Sequence, residues 1–454
     1  MTTRPVLQWL LLWGILIGSW IALEHWAPQP PWFKQHHAVL PLQPNPVKPL
    51  PVAIAGLPSS SLDGHQPHAL QDSVWTFLDT LSGDLPSDWA LQGNATAWFS
   101  LHRFFSALST AKDRRVEVYH WGDSQIEGDR ITNVLREAWQ TQWGGRGPGW
   151  VLPLAPAPNT SIVASLEGEM VRRAGFGRDR DLTALRLPFF AVNEALDTVS
   201  WSVKGNVRSS PTHTEWTCSD LWSVEPSMGM RLEGQDQCDL VQPTWRHKPT
   251  ANRMTYQIPP QHVQGFFLGT DKGVMVHNIP LRGASGTLFD NVPDKDWNKM
   301  VETHPPAMVI LQFGGNAVPG VSSPREARWY AKRLAANIAF IRTQVPSAVV
   351  LFIGPSDMGA TAEDFPGLSW VVDAIQTEVP RTGVLLWDLQ LAMGGPGSMA
   401  RWVERGWASA DHVHFTRQGA KEVGRRLVRS LHEEWRNMRG SHGANPALNP
   451  TTRP

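Results

Sequence analysis

The sequence predicts an α/β fold on a parallel sheet, interrupted by a β-rich insertion. Strand-like runs recur at 116–121, 274–276, 308–313, 348–353 and 384–387, and their apolar content implies burial on both faces, as in a parallel sheet. Helical periodicity fills the intervals between them. Three loops rich in Gly, Ser and Asn directly follow such runs, where open α/β sheets place their sites.

Along the chain, Arg4 precedes an apolar run from Val6 to Leu23, broken only by Gln8, Gly14, Gly18 and Ser19. A helix of about 18 residues rises roughly 27 Å, enough to cross a bilayer core. Trp20 and Trp26 suit the outer interface, and the positive charge keeps the short N-terminal side in the cytoplasm. Residues 1–26 therefore read as a signal anchor, with cleavage as the alternative, since Ala22-Leu23-Glu24 is a poor cleavage site. The expected location is the inner membrane, single-pass, with the remaining chain in the periplasm or otherwise extracytoplasmic. Residues 27–68 are proline-rich and predict an extended spacer.

The body divides into a first block at 69–154, an inserted β-rich domain at 155–272, a second block at 273–439 and a flexible tail at 440–454. In the first block Trp98, Leu101, Phe105 and Leu108 recur at helical spacing ahead of the strand Val116 to Trp121. Ile131, Leu135 and Trp139 mark the next helix. The insertion contains strand-like runs at Thr198 to Val203 and at Leu185 to Phe190, the latter an edge strand because of Pro188. It serves either to bind substrate or to shape the cleft. Ser323-Pro324-Arg325-Glu326 combines a capping box with proline at the first helical position, opening a helix to about Thr343. The last helix starts near Arg417 and carries Val423, Leu427, Leu431 and Trp435 on one face.

Charge is balanced, 41 Lys and Arg against 41 Asp and Glu, so no bulk field attracts nucleic acid. The 23 tryptophans either line a sugar-binding face or fill cores. Cys218 and Cys238 lie one short loop apart; in an exported chain they are expected to form a disulfide, two buried thiols being the alternative. His36-His37 lacks companion ligands at zinc spacing, and neither a metal nor a cofactor is expected.

Four loops carry the residue types of acyl-transfer chemistry. In Trp121-Gly122-Asp123-Ser124-Gln125 the serine opens a helix-like stretch, where its own N–H can face a developing oxyanion. Arg282-Gly283-Ala284-Ser285-Gly286-Thr287 offers glycine N–H groups that a ligand can approach closely. Gly314-Gly315-Asn316 supplies a side-chain amide donor. In Asp411-His412-Val413-His414, the pair Asp411 and His414 has the spacing for a carboxylate to fix a general-base imidazole, with His412 as a decoy. Each loop alone also reads as an ordinary turn; the conjunction is far more specific.

With these residues in order, the chain resembles the SGNH/GDSL hydrolases. The resemblance covers roughly 95–150 and 273–435. It implies a three-layer, flavodoxin-like α/β/α sandwich, with Ser124 as nucleophile, Asp411 and His414 completing the triad, and Ser124, Gly286 and Asn316 forming the oxyanion hole. Gly283 competes with Gly286 for that place. Two departures, Gln125 for the usual leucine and Ala317 for a frequent acidic residue, argue against the plant-type lipase branch. The string His120 to Asp129, with Gly145-x-Gly147-Pro148-Gly149-Trp150, is similar to bacterial envelope members, among them peptidoglycan O-acetylesterases with a β-rich domain inserted after the first block. The implied partner is an acylated, foremost O-acetylated, envelope glycan such as peptidoglycan, with membrane contact through the N-terminal helix. A polysaccharide O-acetyltransferase with the same triad and a non-catalytic glycan-binding protein are the alternatives.

Overall fold

The computed structural model describes residues 85–443, except 178, 207, 210–211, 213–214, 223–230, 233–239, 242–243, 248–252 and 362. The expected anchor, the proline-rich linker and the tail beyond 443 lie outside the described residues. Among the described residues no helix is long and apolar enough to cross a membrane.

Helix α1 (Ala95–Ser109) starts at Asn94, whose side chain accepts from Ala97 N. Strand β1 (Arg115–Gly122) and helix α2 (Thr132–Trp143) follow. Thirteen short and long strands come next: β2 (Gly149–Val151), β3 (Ile162–Glu167), β4 (Met170–Ala174), β5 (Ala191–Ala195), β6 (Val199–Gly205), β7 (Cys218–Trp222), β8 (Arg231–Leu232), β9 (Leu240–Val241), β10 (Thr244–His247), β11 (Arg253–Ile258), β12 (His262–Val263), β13 (Gly265–Gly269) and β14 (Gly273–Pro280). The remainder alternates: α3 (Asp294–Thr303), β15 (Pro306–Gln312), α4 (Pro324–Gln344), β16 (Val349–Ile353), α5 (Gly367–Glu378), β17 (Leu385–Trp387), α6 (Leu389–Met393), α7 (Ser398–Glu404) and α8 (Arg417–Gly443).

Five strands form one parallel sheet in the order β14-β1-β15-β16-β17. Successive residues of each strand enter opposite cores. Val116, Val118, Met308, Ile310, Val349 and Leu351 face one core with residues of α1, α2 and α8. Tyr119, Trp121, Val309, Leu311, Val350 and Phe352 face the other with residues of α3, α4 and α5. Both faces of the central strands are covered, so β15 and β16 are almost wholly apolar, while β1 also buries Glu117 and His120. The tryptophans serve these cores: Trp121, Trp297, Trp387 and Trp402 are fully buried. At α4, Ser323 Oγ accepts from Glu326 N, while Glu326 reaches back to Ser322 N at 2.7 Å, so the reciprocal bond falls one residue earlier than a strict capping box places it.

Between β1 and β14 the chain builds antiparallel sheets in the orders β2-β13-β7-β10-β9, β3-β6-β11-β8 and β12-β5-β4. This β-rich stretch begins at Gly149 rather than near Ala155, because β2 pairs with β13. A third core, with Trp201, Tyr256 and Phe266, lies within it. Two expectations are corrected here. Leu185 to Phe190 is not an edge strand but a turn: Leu187 N donates to Asp296, Leu187 O accepts from Gln264, and Pro188 O accepts from the Trp121 indole. Side chains thus take the backbone groups that a ladder would need. Cys218 is a buried free thiol packed in the cluster that holds Trp222 and Phe267, in place of the expected disulfide; Cys238 lies outside the described residues. Burial and the neighbouring Asp220 push that thiol well above the usual range. The final helix also runs through 440–443, which composition assigns to the tail.

Candidate active site

All four candidate loops meet at the carboxyl end of the parallel sheet. Gly122 closes β1, and its carbonyl accepts from Leu281 N at 2.7 Å just beyond β14. Asp123 N donates to Gln312 O at 3.1 Å at the end of β15. The Gly122-Asp123-Ser124 turn is therefore stitched to both neighbouring strands before any side chain is considered. A short 3-10 segment, Ser124–Asp129, then leads into α2.

Ser124 Oγ lies 3.0 Å from His414 Nε2. His414 Nδ1 lies 2.7 Å from Asp411 Oδ2, while Asp411 Oδ1 accepts from the backbone N–H groups of Val413 and His414 at 2.9 and 3.0 Å. With Asp411 on Nδ1, the proton sits there and Nε2 is left to accept from Ser124. Burial alone would raise the Asp411 pKa, but the hydrogen bonds from His414 and Val413 win and hold it below the usual carboxylate range. The pair is open to solvent, with Asp411 and His414 side chains 46% and 44% exposed, so water reaches the base. His412 stands apart: its φ of 54° and its carbonyl, which accepts from Gly359 N, shape the turn.

Gly286 and Gly283 separate cleanly. Both have φ of 81°, but Gly283 is exposed with open space around it. Gly286 is buried, and a Cβ there would stand 2.8 Å from the Phe313 ring. Asn316 is exposed at the rim and donates from Nδ2 to Ala284 O at 3.1 Å, joining its loop to that of Gly286. An amide has two N–H groups, so this bond leaves Asn316 a second donor. Tyr330 of α4 braces the same loop by donating to Ser285 O at 2.7 Å.

The structure adds residues that sequence reasoning treats only as departures or as context. Gln125 is buried and clamps the His414 loop: Nε2 donates to Val413 O at 2.7 Å and to Ser356 Oγ at 3.2 Å, and Oε1 accepts from Phe415 N at 3.4 Å. Arg130 donates to Phe415 O and to Glu127 O, each at 2.8 Å. Asp129 is pinned at φ 63° by a fully buried bidentate pair with Arg136 and by Ser161 Oγ at 2.6 Å. A polar residue directly after Ser124, where the resemblance leads one to expect leucine, is the one signal that points to Gln125. Gln125→Leu is expected to lower kcat about 10²-fold through a displaced imidazole. Steady-state kinetics should show KM nearly unchanged; a change confined to KM contradicts the positioning role.

Asp123 carries a further consequence. Burial pushes its carboxyl from 3.8 up to about 6, against the Gln125 backbone N–H and the nearby His414, which favour ionisation. Between those values the folded protein holds a proton that the unfolded chain has lost, so stability falls as pH rises from about 4 to about 6. Asp123→Asn keeps the oxygen acceptor for Gln125 N and removes this titration. Denaturant unfolding at pH 4 and pH 7 should show the pH-dependent loss shrink by on the order of 2–3 kcal/mol in the variant.

No family model matches the sequence, and no curated protein matches it. Among solved structures, a peptidoglycan O-acetylesterase superposes with a TM-score of 0.62 at 20% identity, over 76% of this chain and 99% of that chain. An acetylxylan esterase from Geobacillus stearothermophilus, solved as a catalytic mutant, aligns at 15% identity over 36% of this chain and 74% of that one, with a TM-score of 0.27. A lipase/acylhydrolase from Enterococcus faecalis aligns at 19% identity over 40% and 81%, with a TM-score of 0.24. The chain shares the fold of that peptidoglycan O-acetylesterase.

Proposed function

We propose that this chain is a serine esterase that removes O-acyl groups, foremost O-acetyl groups, from a cell-envelope glycan such as peptidoglycan. The observation that carries the reading is the continuous relay Ser124–His414–Asp411, with spacings of 3.0 and 2.7 Å, on this fold. The likeness to a peptidoglycan O-acetylesterase spans 99% of that chain and supports the choice of substrate class. The anchor read from residues 1–26 would hold the catalytic body outside the cytoplasm, beside such a polymer.

In this mechanism Ser124 Oγ attacks the ester carbonyl carbon while His414 Nε2 takes its proton, and Asp411 stabilises the resulting imidazolium. The N–H groups of Ser124 and Gly286 and the Asn316 amide receive the oxyanion. As the carbonyl re-forms, the bond to the glycan oxygen breaks and His414 returns its proton to that oxygen. Water, deprotonated by His414, then attacks the acyl-Ser124 ester and releases the carboxylate. The open dyad admits this water.

The test is acetate release from O-acetylated peptidoglycan beside other acetylated glycans. Release of free acetate, lost in Ser124→Ala, supports the proposal. Acetyl transfer to an oligosaccharide in place of release would make the chain an O-acetyltransferase.

A further inference from the structure

Helices α4 and α5 pack together on one face of the parallel sheet and leave a groove of about 470 Å³ between them. Sites for small ligands have volumes of roughly 300–1,000 Å³. Arg328 of α4 lines one side of the groove, and Trp370, Asp373 and Thr377 of α5 line the other. Pro324, the first residue of α4, and Arg381, just past α5, border it as well. Both helices follow strands of the parallel sheet, so both start at its carboxyl end, where Ser124 and His414 meet. The start of α5 also abuts the loop that carries Asn316. A Cβ on Gly367 would stand 2.7 Å from Val321 O and 3.1 Å from Val318 O.

The lining has a distinct chemistry. Trp370 is half-buried, packed against the core while it lines the groove, unlike the fully buried tryptophans around the sheet. Asp373 and Thr377 follow it at helical spacing on the same face, and α5 advances about 10 Å from Trp370 to Thr377. Asp373 and Arg328 are exposed, and neither side chain makes an ion pair or hydrogen bond among the described residues. Glu378 pairs with Arg381 at 3.1 Å. Arg328 and Arg381 thus balance Asp373 and Glu378, and the groove has no net charge. A nucleic acid or an anionic lipid surface needs an excess of positive charge. An amphipathic helix needs a continuous apolar floor, whereas the apolar lining here is limited to Pro324, Trp370 and Ala374. A neutral sugar chain needs an aromatic face for its ring C–H groups and flanking donors and acceptors for its hydroxyls. No step of the esterase mechanism uses these residues.

We propose that the groove between α4 and α5 binds sugar units of the glycan strand that carries the scissile ester, with Trp370 as the stacking platform and Asp373 and Arg328 as hydroxyl partners. The inference rests on the esterase reading and adds to it a second contact region that favours long strands over short ones. A strand held there presents its esters to Ser124 at a raised effective concentration. Such a contact is the same in the ground state and the transition state, so it lowers KM and leaves kcat unchanged.

The test compares the full-length wild type, Trp370→Ala, Asp373→Ala and Trp329→Ala on a small chromogenic acetyl ester and on soluble O-acetylated peptidoglycan strands of graded length. In the wild type KM should fall as the strands lengthen. Trp370→Ala should raise KM for the long strands about 10-fold, the weight of one lost aromatic contact, with kcat unchanged. Asp373→Ala, at an exposed position, should raise it about 3-fold. Both variants should hydrolyse the small ester as the wild type does, which also shows that they fold. Trp329 is 71% exposed on α4 and does not line the groove, so Trp329→Ala should match the wild type on every substrate. Equal losses on the small ester and the long strands, a Trp329→Ala loss as large as that of Trp370→Ala, or a wild type without length dependence overturns the proposal. Dimerisation seen by ultracentrifugation and abolished in Trp370→Ala would make a second copy the occupant and overturn it too. If the wild type cleaves no acetyl ester, the esterase reading falls instead. Titration with deacetylated strands then still decides the groove: binding weakened about 10-fold in Trp370→Ala supports it, and equal binding overturns it.

Discussion

Replacing Ser124 with alanine is expected to lower kcat for acetyl-ester hydrolysis by about 10⁶-fold, the scale on which a triad nucleophile acts. The relay explains the size. Ser124 Oγ is the atom within 3.0 Å of His414 Nε2, and no other hydroxyl among the described residues makes a hydrogen bond to that nitrogen. The substitution removes one oxygen at a partly exposed position, so the melting temperature should stay close to that of the wild type. Asp411→Asn should cost about 10⁴-fold, because an amide on Nδ1 no longer enforces the tautomer that leaves Nε2 free to accept. Two of the Asp411 bonds run to backbone N–H groups of its own loop, and the asparagine oxygen can still accept them. The loop therefore survives while the charge is lost. Hydrolysis of a chromogenic acetyl ester, read beside circular dichroism, checks both variants. Retention of near-wild-type activity by Ser124→Ala would remove this serine from the chemistry.

Asn316→Ala is expected to lower kcat about 10²–10³-fold with little change in KM, since an oxyanion donor acts chiefly on the transition state. Asn316 is exposed at the rim of the cleft, so its loss removes little packing. Its bond to Ala284 O orients the amide against the Gly286 loop, and Tyr330 holds that loop from below. Asn316→Asp provides a sharper comparison. It keeps the shape and replaces an N–H donor with an acceptor, and it should be at least as impaired as alanine. A loss carried by KM alone would place Asn316 in ground-state binding instead.

The parallel sheet was legible because its strands are apolar on two faces, and only strands covered on both sides need that. The four loops were legible because glycine, asparagine, serine and an Asp-x-x-His pair are chemically conspicuous after such strands. The structure brings Ser124, Asp411 and His414 into contact and draws Asn316 to the loop of Gly286. Gln125 and Arg130 were not legible as clamps, because their partners at Val413 and Phe415 lie far away in sequence and are backbone atoms, which leave no trace in composition. Leu185 to Phe190 misled for the converse reason: its apolar residues face a core, but Asp296, Gln264 and Trp121 claim its backbone. The cysteine spacing misled because closeness in sequence says nothing about where Cys218 points. Its side chain packs inward among tryptophans.

The most direct test of the central claim is to trap the acyl-enzyme. The purified chain is mixed with an activated acetyl ester, quenched in acid, and its intact mass and proteolytic peptides are measured. One acetyl group per chain, on Ser124 and absent from Ser124→Ala, is the predicted result, with more of it in a His414→Ala variant if deacylation slows more than acylation. Steady hydrolysis by the wild type with the acetyl group on another residue, or undiminished hydrolysis by Ser124→Ala, would contradict the account.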